Sequence, residues 1–421
     1  MGQADAIRFD RPRRPTRRRL MYAAVTVALL TLPQIRGTLS IFRDRLQSHF
    51  DISIEQLGLL LSIWTIPGIV GALLGGRLVD RAGPRVVLRA CLLGAAVGLA
   101  LAALADGWAY MLAALAFVAL FTFPLHIAAQ TYLIRLFPTR RRRVLSLSMV
   151  ALSLSGVAVP LLAEALLRLE RTDPSVSFRQ ILHIPFAVVA AALAAGALLY
   201  RRRKSLAGPD PAEKAREPQR PRPFGKGAVL LLAMMVLHGT CDSSLFVWMP
   251  RVLGGGSFAR QVFLPGAVMA GFSLAYVLSR GLLSLLPERS GARVMLIVPG
   301  LLGGGLMLAG VASRSQTWTA AGYVAGAFCW SFEYPAILAA LAGGEARRFG
   351  SALGANAVAL GLATFAMVNS MGLIARAVGE QSMWVILLLP AAGFPLVGLG
   401  GAIWVWRFSR AAPPAGNRPT G

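Results

Sequence analysis

Twelve apolar runs of about 20 residues each follow one another along this 421-residue chain. They lie near 20–42, 55–78, 86–105, 108–133, 144–167, 180–200, 227–250, 262–286, 292–312, 318–342, 350–375 and 382–406. A run of that length crosses the hydrocarbon core of a bilayer as a helix. No water is available there, so each backbone amide must be satisfied within its own segment. The expected fold is an all-α membrane protein with twelve transmembrane helices, and its first partner is the lipid bilayer.

Charge supports the same reading. Only 14% of residues are charged, against about 25% in soluble domains. A net charge of +25 could suggest nucleic acid, but the basic residues punctuate the apolar runs rather than gathering on one surface, so no nucleic-acid partner is expected. Thirty-two of the 43 Lys and Arg fall on the side of the N-terminus and nine on the other. That asymmetry places both termini in the cytoplasm. The basic start leads into a run too long for a signal peptide, so no cleavage is expected. Cys91, Cys241 and Cys329 fall within spans, so no disulfide is expected. The four histidines have no metal-ligand spacing, and no phosphate-cradling loop is present; neither cofactor nor metal is expected.

Residues 201–226 form a charged, proline-rich stretch that cannot bury a core. It divides the chain into a basic tail (1–19), six spans (20–200), a cytoplasmic linker (201–226), six further spans (227–406) and a second tail (407–421). The halves echo each other. Gly76-Arg-Leu-Val-Asp80-Arg81-Ala-Gly83-Pro-Arg85 follows span two, and Glu288-Arg289-Ser-Gly-Ala-Arg293 follows span eight. A duplicated six-helix unit suits alternating access, in which two similar bundles rock about a midplane site.

The pattern Gly-x-x-x-Asp-Arg-x-Gly-x-Arg resembles the signature loop between the second and third helices of the major facilitator superfamily. With the echo in the second half, the resemblance covers essentially the whole chain. It implies two six-helix bundles and a gating role for the loop. The motif aspartate would lie near the start of the eleventh helix, here about Phe349 to Ser351, where a carboxylate favours the positive helix end. Gly76 and Gly83 would allow close packing, with Asp80, Arg81 and Arg85 in the gate and Glu288, Arg289 and Arg293 as their degenerate counterparts. The bland alternative is that these residues only cap and orient a loop. The glycine-rich signature of proton-driven drug exporters is incomplete, with Val159 before Pro160 where the family has Gly.

Charges inside spans carry the chemistry, because each costs about 2.5–3.5 kcal/mol at a helix centre. Arg36 lies ~8 Å beyond the middle of span one and Arg280 ~12 Å into span eight. A guanidinium matches carboxylate, sulfonate or phosphate bidentately. Either arginine can instead snorkel, and Arg36 can form a structural ion pair. Arginines in spans one and eight also resemble the organic-anion branches of the superfamily, including oxalate–formate and monocarboxylate carriers. Asp242 in span seven and Glu333 in span ten are candidates for proton coupling, or for neutralising those arginines. His126 and Gln130 share a face of span four. With Tyr334, Trp248 and Asn356 they can line a cavity or simply pack.

These residues point to a secondary active transporter working by alternating access. Its substrate would be a small organic anion, exchanged with or accompanied by protons or a counter-anion. A proton-coupled drug or amphiphile exporter is the alternative within transport. A transport-dead membrane sensor on the same fold is the alternative outside it, and an enzyme is not expected. The resemblance implies a bacterial inner membrane, and a monomer is expected there.

Overall fold

The computed structural model describes residues 17–33, 36–53, 56, 59–60, 63–200, 224–254, 257–258, 262–286, 293–345 and 348–408. Fifteen α-helices account for nearly all of them. In the N-terminal half these are α1 (Arg17–Thr31), α2 (Arg36–Ile41), α3 (Arg43–Phe50), α4 (Thr65–Ala82), α5 (Pro84–Ala102), α6 (Trp108–Leu136), α7 (Arg141–Thr172) and α8 (Phe178–Leu199). The C-terminal half holds α9 (Lys226–Gly254), α10 (Pro265–Leu285), α11 (Val298–Ala312), α12 (Gln316–Trp330), α13 (Glu333–Gly344), α14 (Phe349–Val378) and α15 (Leu388–Arg407). Among the described residues, ten helical segments are long and apolar enough to cross a membrane. The other two of the twelve spans fall short for local reasons. Span one is divided into α1 and α2, and α4 carries Arg77, Asp80 and Arg81 in its last turns.

Two expectations of continuous spans are corrected. Span one, expected over 20–42, ends its first helix at Thr31 and restarts at Arg36. Span ten, expected over 318–342, breaks at Ser331–Phe332 into α12 and α13. The cause is Pro335. It has no N–H to return to the Ser331 carbonyl four residues back, so the ladder is interrupted there. Phe332 instead bonds Cys329, three residues back. The second half of the span therefore restarts at Glu333, which places a carboxyl in the first turn of a new helix.

Within the N-terminal half α6 packs against α4 and α5, and α5 against α8; in the C-terminal half α11 packs against α12 and α15, and α9 against α14 and α15. The halves meet along two seams, α4 with α14 and α7 with α10. Large apolar side chains such as Leu78, Val86, Phe365 and Leu373 remain exposed on the helix faces, as lipid-facing surfaces do. The face carrying Arg17 and Phe408, the two ends of the described chain, is called the terminal face below.

Candidate functional site

At the terminal face the seam is built from glycines and one carboxylate. Gly83 ends α4 at φ +86°, a conformation L side chains avoid, and Pro84 opens α5 immediately after it. That turn leaves Asp80 in the last turn of α4, facing the other half. Its two carboxylate oxygens accept the N–H of Gly350 at 3.0 Å and of Ser351 at 2.7 Å, both in the first turn of α14. The helices approach this closely because Gly76, Gly350 and Gly354 lack side chains. A Cβ on Gly76 would collide with the Gly350 carbonyl, and one on Gly350 would stand 2.8 Å from the Asp80 carboxylate. Arg81 is exposed, and the Arg85 guanidinium lies 6.0 Å from the Tyr22 ring centre. In the echo, Arg293 precedes a short 3-10 turn, while Glu288 and Arg289 lie outside the described residues.

The second seam runs deeper. Arg141 donates to the Ala342 carbonyl at 2.8 Å and Arg142 to that of Leu286 at 3.4 Å. One turn further in, the Ser146 hydroxyl donates to the Arg280 carbonyl at 2.5 Å, and beyond it Arg280 donates through Nη1 to the Ser153 hydroxyl at 2.8 Å. The hydrogen bonds described between the halves thus start at the terminal face and end at Arg280. The structure is closed on that side.

Arg280 faces a polar cluster in the C-terminal half. Its guanidinium carbon stands 4.2 Å from the Tyr276 ring centre, a cation–π contact. The Tyr276 hydroxyl donates a short bond to Asp242 Oδ1. The Trp330 indole N–H is shared between Tyr276 Oη at 2.8 Å and Asp242 Oδ1 at 3.2 Å. Asp242 therefore reaches Arg280 through Tyr276 rather than by a direct ion pair. Arg280 Nε is buried and has no hydrogen-bond partner.

A second buried pair lies alongside. His238 Nδ1 stands 2.9 Å from Glu333 Oε2, both enclosed within one half. Glu333 Oε1 rests against Gly300, where a Cβ would meet it. The His238 ring is 5.8 Å from that of Tyr334.

The remaining candidates are dispersed. His126 and Gln130 share a face of α6, with Gln130 buried. Trp248 donates to the Val368 carbonyl at 3.3 Å and packs against Gly372, away from Arg280. Arg36 opens α2, and its side chain lies outside the described residues. A cleft of about 700 Å³ runs between α9 and α14; Asn356 lines it, whereas Arg280 and Asp242 do not. Among the described residues no group of His, Cys, Asp or Glu is placed to hold a metal ion. Sequence reasoning missed His238, Tyr276 and Ser153. His238 and Tyr276 each stand four residues before a charge already singled out, Asp242 and Arg280, and so on the same helix face. Ser153 carried no such signal, because its contact crosses between halves.

Residues 20–263 match the family model described as Major Facilitator Superfamily. The chain belongs to that superfamily. It is a membrane transporter rather than an enzyme. None of the curated proteins matches its sequence. Solved superfamily structures match over nearly its full length. FucP in the outward conformation shares 17% identity at a TM-score of 0.74, covering 92% of this chain and 99% of its own. The proton:xylose symporter XylE shares 14% at 0.66, covering 93% and 95%. The human organic anion transporter MFSD10 shares 17% at 0.65, covering 92% and 100%. At such identities these structures establish the shared fold.

Proposed function

We propose that this protein carries a small organic anion across a bacterial inner membrane, coupled to proton movement, by rocking its two halves about a site at Arg280. The observation that carries this reading is Arg280 itself. A permanently charged group is held inside the protein by an aromatic face and one serine of the opposite half, with Nε buried and without a hydrogen-bond partner. An anion's paired oxygens suit that guanidinium edge. The terminal face is assigned to the cytoplasm from its excess of basic residues. The closed seam then corresponds to an outward-facing state of a transporter working as a monomer.

Asp80 supports that state as the gate. Its carboxylate meets the positive end of α14, an interaction worth about 0.3–1 kcal/mol, more where partly buried. Asp80→Asn is expected to keep expression and folding and to shift the protein toward the inward-facing state. Labelling of engineered cysteines from each side of the membrane checks this; unchanged accessibility together with unchanged transport would reduce Asp80 to a loop residue.

Proton coupling is assigned to Asp242. Its link through Tyr276 to Arg280 makes its surroundings depend on whether Arg280 still holds Ser153 across the seam. Glu333 keeps the same neighbours inside one half and positions His238. Asp242→Asn, a mimic of the protonated acid, is expected to lose accumulation driven by a pH gradient while retaining substrate exchange. Glu333→Gln, still able to hydrogen-bond His238, is expected to retain both. Gradient-driven accumulation persisting in Asp242→Asn would remove that residue from the coupling step.

A further inference from the structure

Four consecutive arginines, Arg140 to Arg143, open α7 at the terminal face. A helix N-terminus is its positive end, where acids and short polar caps are favoured. α7 has neither. Its N-cap is Arg140, no side chain caps it, and its first turn holds no acid. The chain builds a regular start elsewhere, as Ser177 and Gln180 do in a reciprocal cap on α8. A converse mismatch stands in the opposite half. The negative ends of α10 and α13 carry no basic residue in the last turn, and α13 is followed by Glu345, an acid where a cation is favoured. The two mismatches meet. Arg141 Nη1 donates at 2.8 Å to the carbonyl of Ala342, in the last turn of α13. Arg142, buried, donates through Nη2 at 3.4 Å to the carbonyl of Leu286, the residue that ends α10. Carbonyls at a helix C-terminus have no acceptor's partner within their own helix and must find one outside it.

We infer that Arg141 and Arg142 form a second latch of the closed terminal face, with its polarity reversed from that of Asp80. At Asp80 a negative group of the N-terminal half meets the positive end of α14. Here positive groups of the same half meet the negative ends of α10 and α13. Charges thus sit on one half and helix ends on the other at both seams. Each arginine is unfavourable for its own helix and is compensated while the halves touch, so its contribution falls on the closed state rather than on the stability of α7. The inference rests on the rocking of the two halves, and not on the anion or its coupling.

The experiment measures the distance between spin labels on Val86→Cys, in α5, and Val294→Cys, just before α11, both exposed and one on each half. The full chain is held in nanodiscs without substrate, with Cys91, Cys241 and Cys329 replaced by alanine. Arg141→Gln and Arg142→Gln are each expected to raise the ratio of open to closed distances about fivefold, and together about twentyfold, since they hold different helices. Arg141→Lys keeps the cation and is expected to stay near the wild-type ratio. Arg142→Glu separates a latch from a brace of α7. An acid suits the start of α7 but not the helix ends it faces. The Glu variant is therefore expected to open the face further than Arg142→Gln, with a melting temperature no lower than that variant's. Asp80→Asn is the reference for an opened face. Wild-type distances in the folded double Gln variant, beside an opened Asp80→Asn, would overturn the latch. So would a Glu variant that melts lower with its face still closed, or a Lys variant that opens as far as Arg141→Gln. Closed distances in Asp80→Asn as well would overturn the rocking on which the latch rests.

Discussion

Gly350→Val is expected to reduce transport about a hundredfold while leaving the protein expressed and folded. A Cβ at this position would sit 2.7 Å from the Gly76 carbonyl oxygen, 2.8 Å from the Asp80 carboxylate and 2.9 Å from Val79 Cβ. Valine adds two further methyls. The first obstacle is helix backbone, which cannot rotate away, so α4 and α14 must separate. Separation forfeits the two bonds from Gly350 and Ser351 to Asp80. The helix-end contact is worth up to about 2 kcal/mol when partly buried, and overpacking costs about 1–3 kcal/mol. A net penalty of ~3 kcal/mol on the closed terminal face changes its population by roughly two powers of ten. Each half keeps its own core, because the clash lies between halves. Transport and two-sided cysteine labelling should therefore change together, while thermal stability moves little. Near-normal flux in Gly350→Val would mean that the seam need not close this tightly during the cycle.

Arg280→Lys is expected to raise the apparent Michaelis constant for an anionic substrate at least about tenfold, or ~1.4 kcal/mol. Lysine keeps the charge but loses the planar fork and much of the stacking on Tyr276. If Arg280 only braces Ser153 and balances Asp242, an ammonium can do both, and the affinity for the anion should remain within a factor of two or so. Arg280→Gln separates the roles further. It leaves Asp242 without its neighbouring cation and is expected to lower stability as well as transport.

The fold was legible because the membrane makes it so. Twenty apolar residues must form a helix, so the span count follows from composition. The Asp80 contact was legible for a different reason. The resemblance placed the partner of Asp80 at Phe349 to Ser351, and the carboxylate rests on Gly350 and Ser351. Helix breaks were harder to read. Pro335 stood in the sequence as a breaker, yet the surrounding apolar run masked it, and with it the placement of Glu333 at the head of a new helix. Pairings between spans were least legible. Asp242 was weighed as a partner for arginine, but it is held by Tyr276 and Trp330, from two other spans. No periodicity within one helix encodes such a choice. Likewise, the link from Arg280 to Ser153 exists only because the halves face each other.

The most direct test is uptake by the purified protein in proteoliposomes under an imposed pH gradient. It compares a labelled small carboxylate with its uncharged amide and with an amine of similar size, across a panel of short organic acids. Accumulation of carboxylates alone, abolished by collapsing the gradient and weakened at least about tenfold by Arg280→Lys, is the result expected here. Movement of the amine or the amide with no carboxylate flux would contradict an anion site at Arg280.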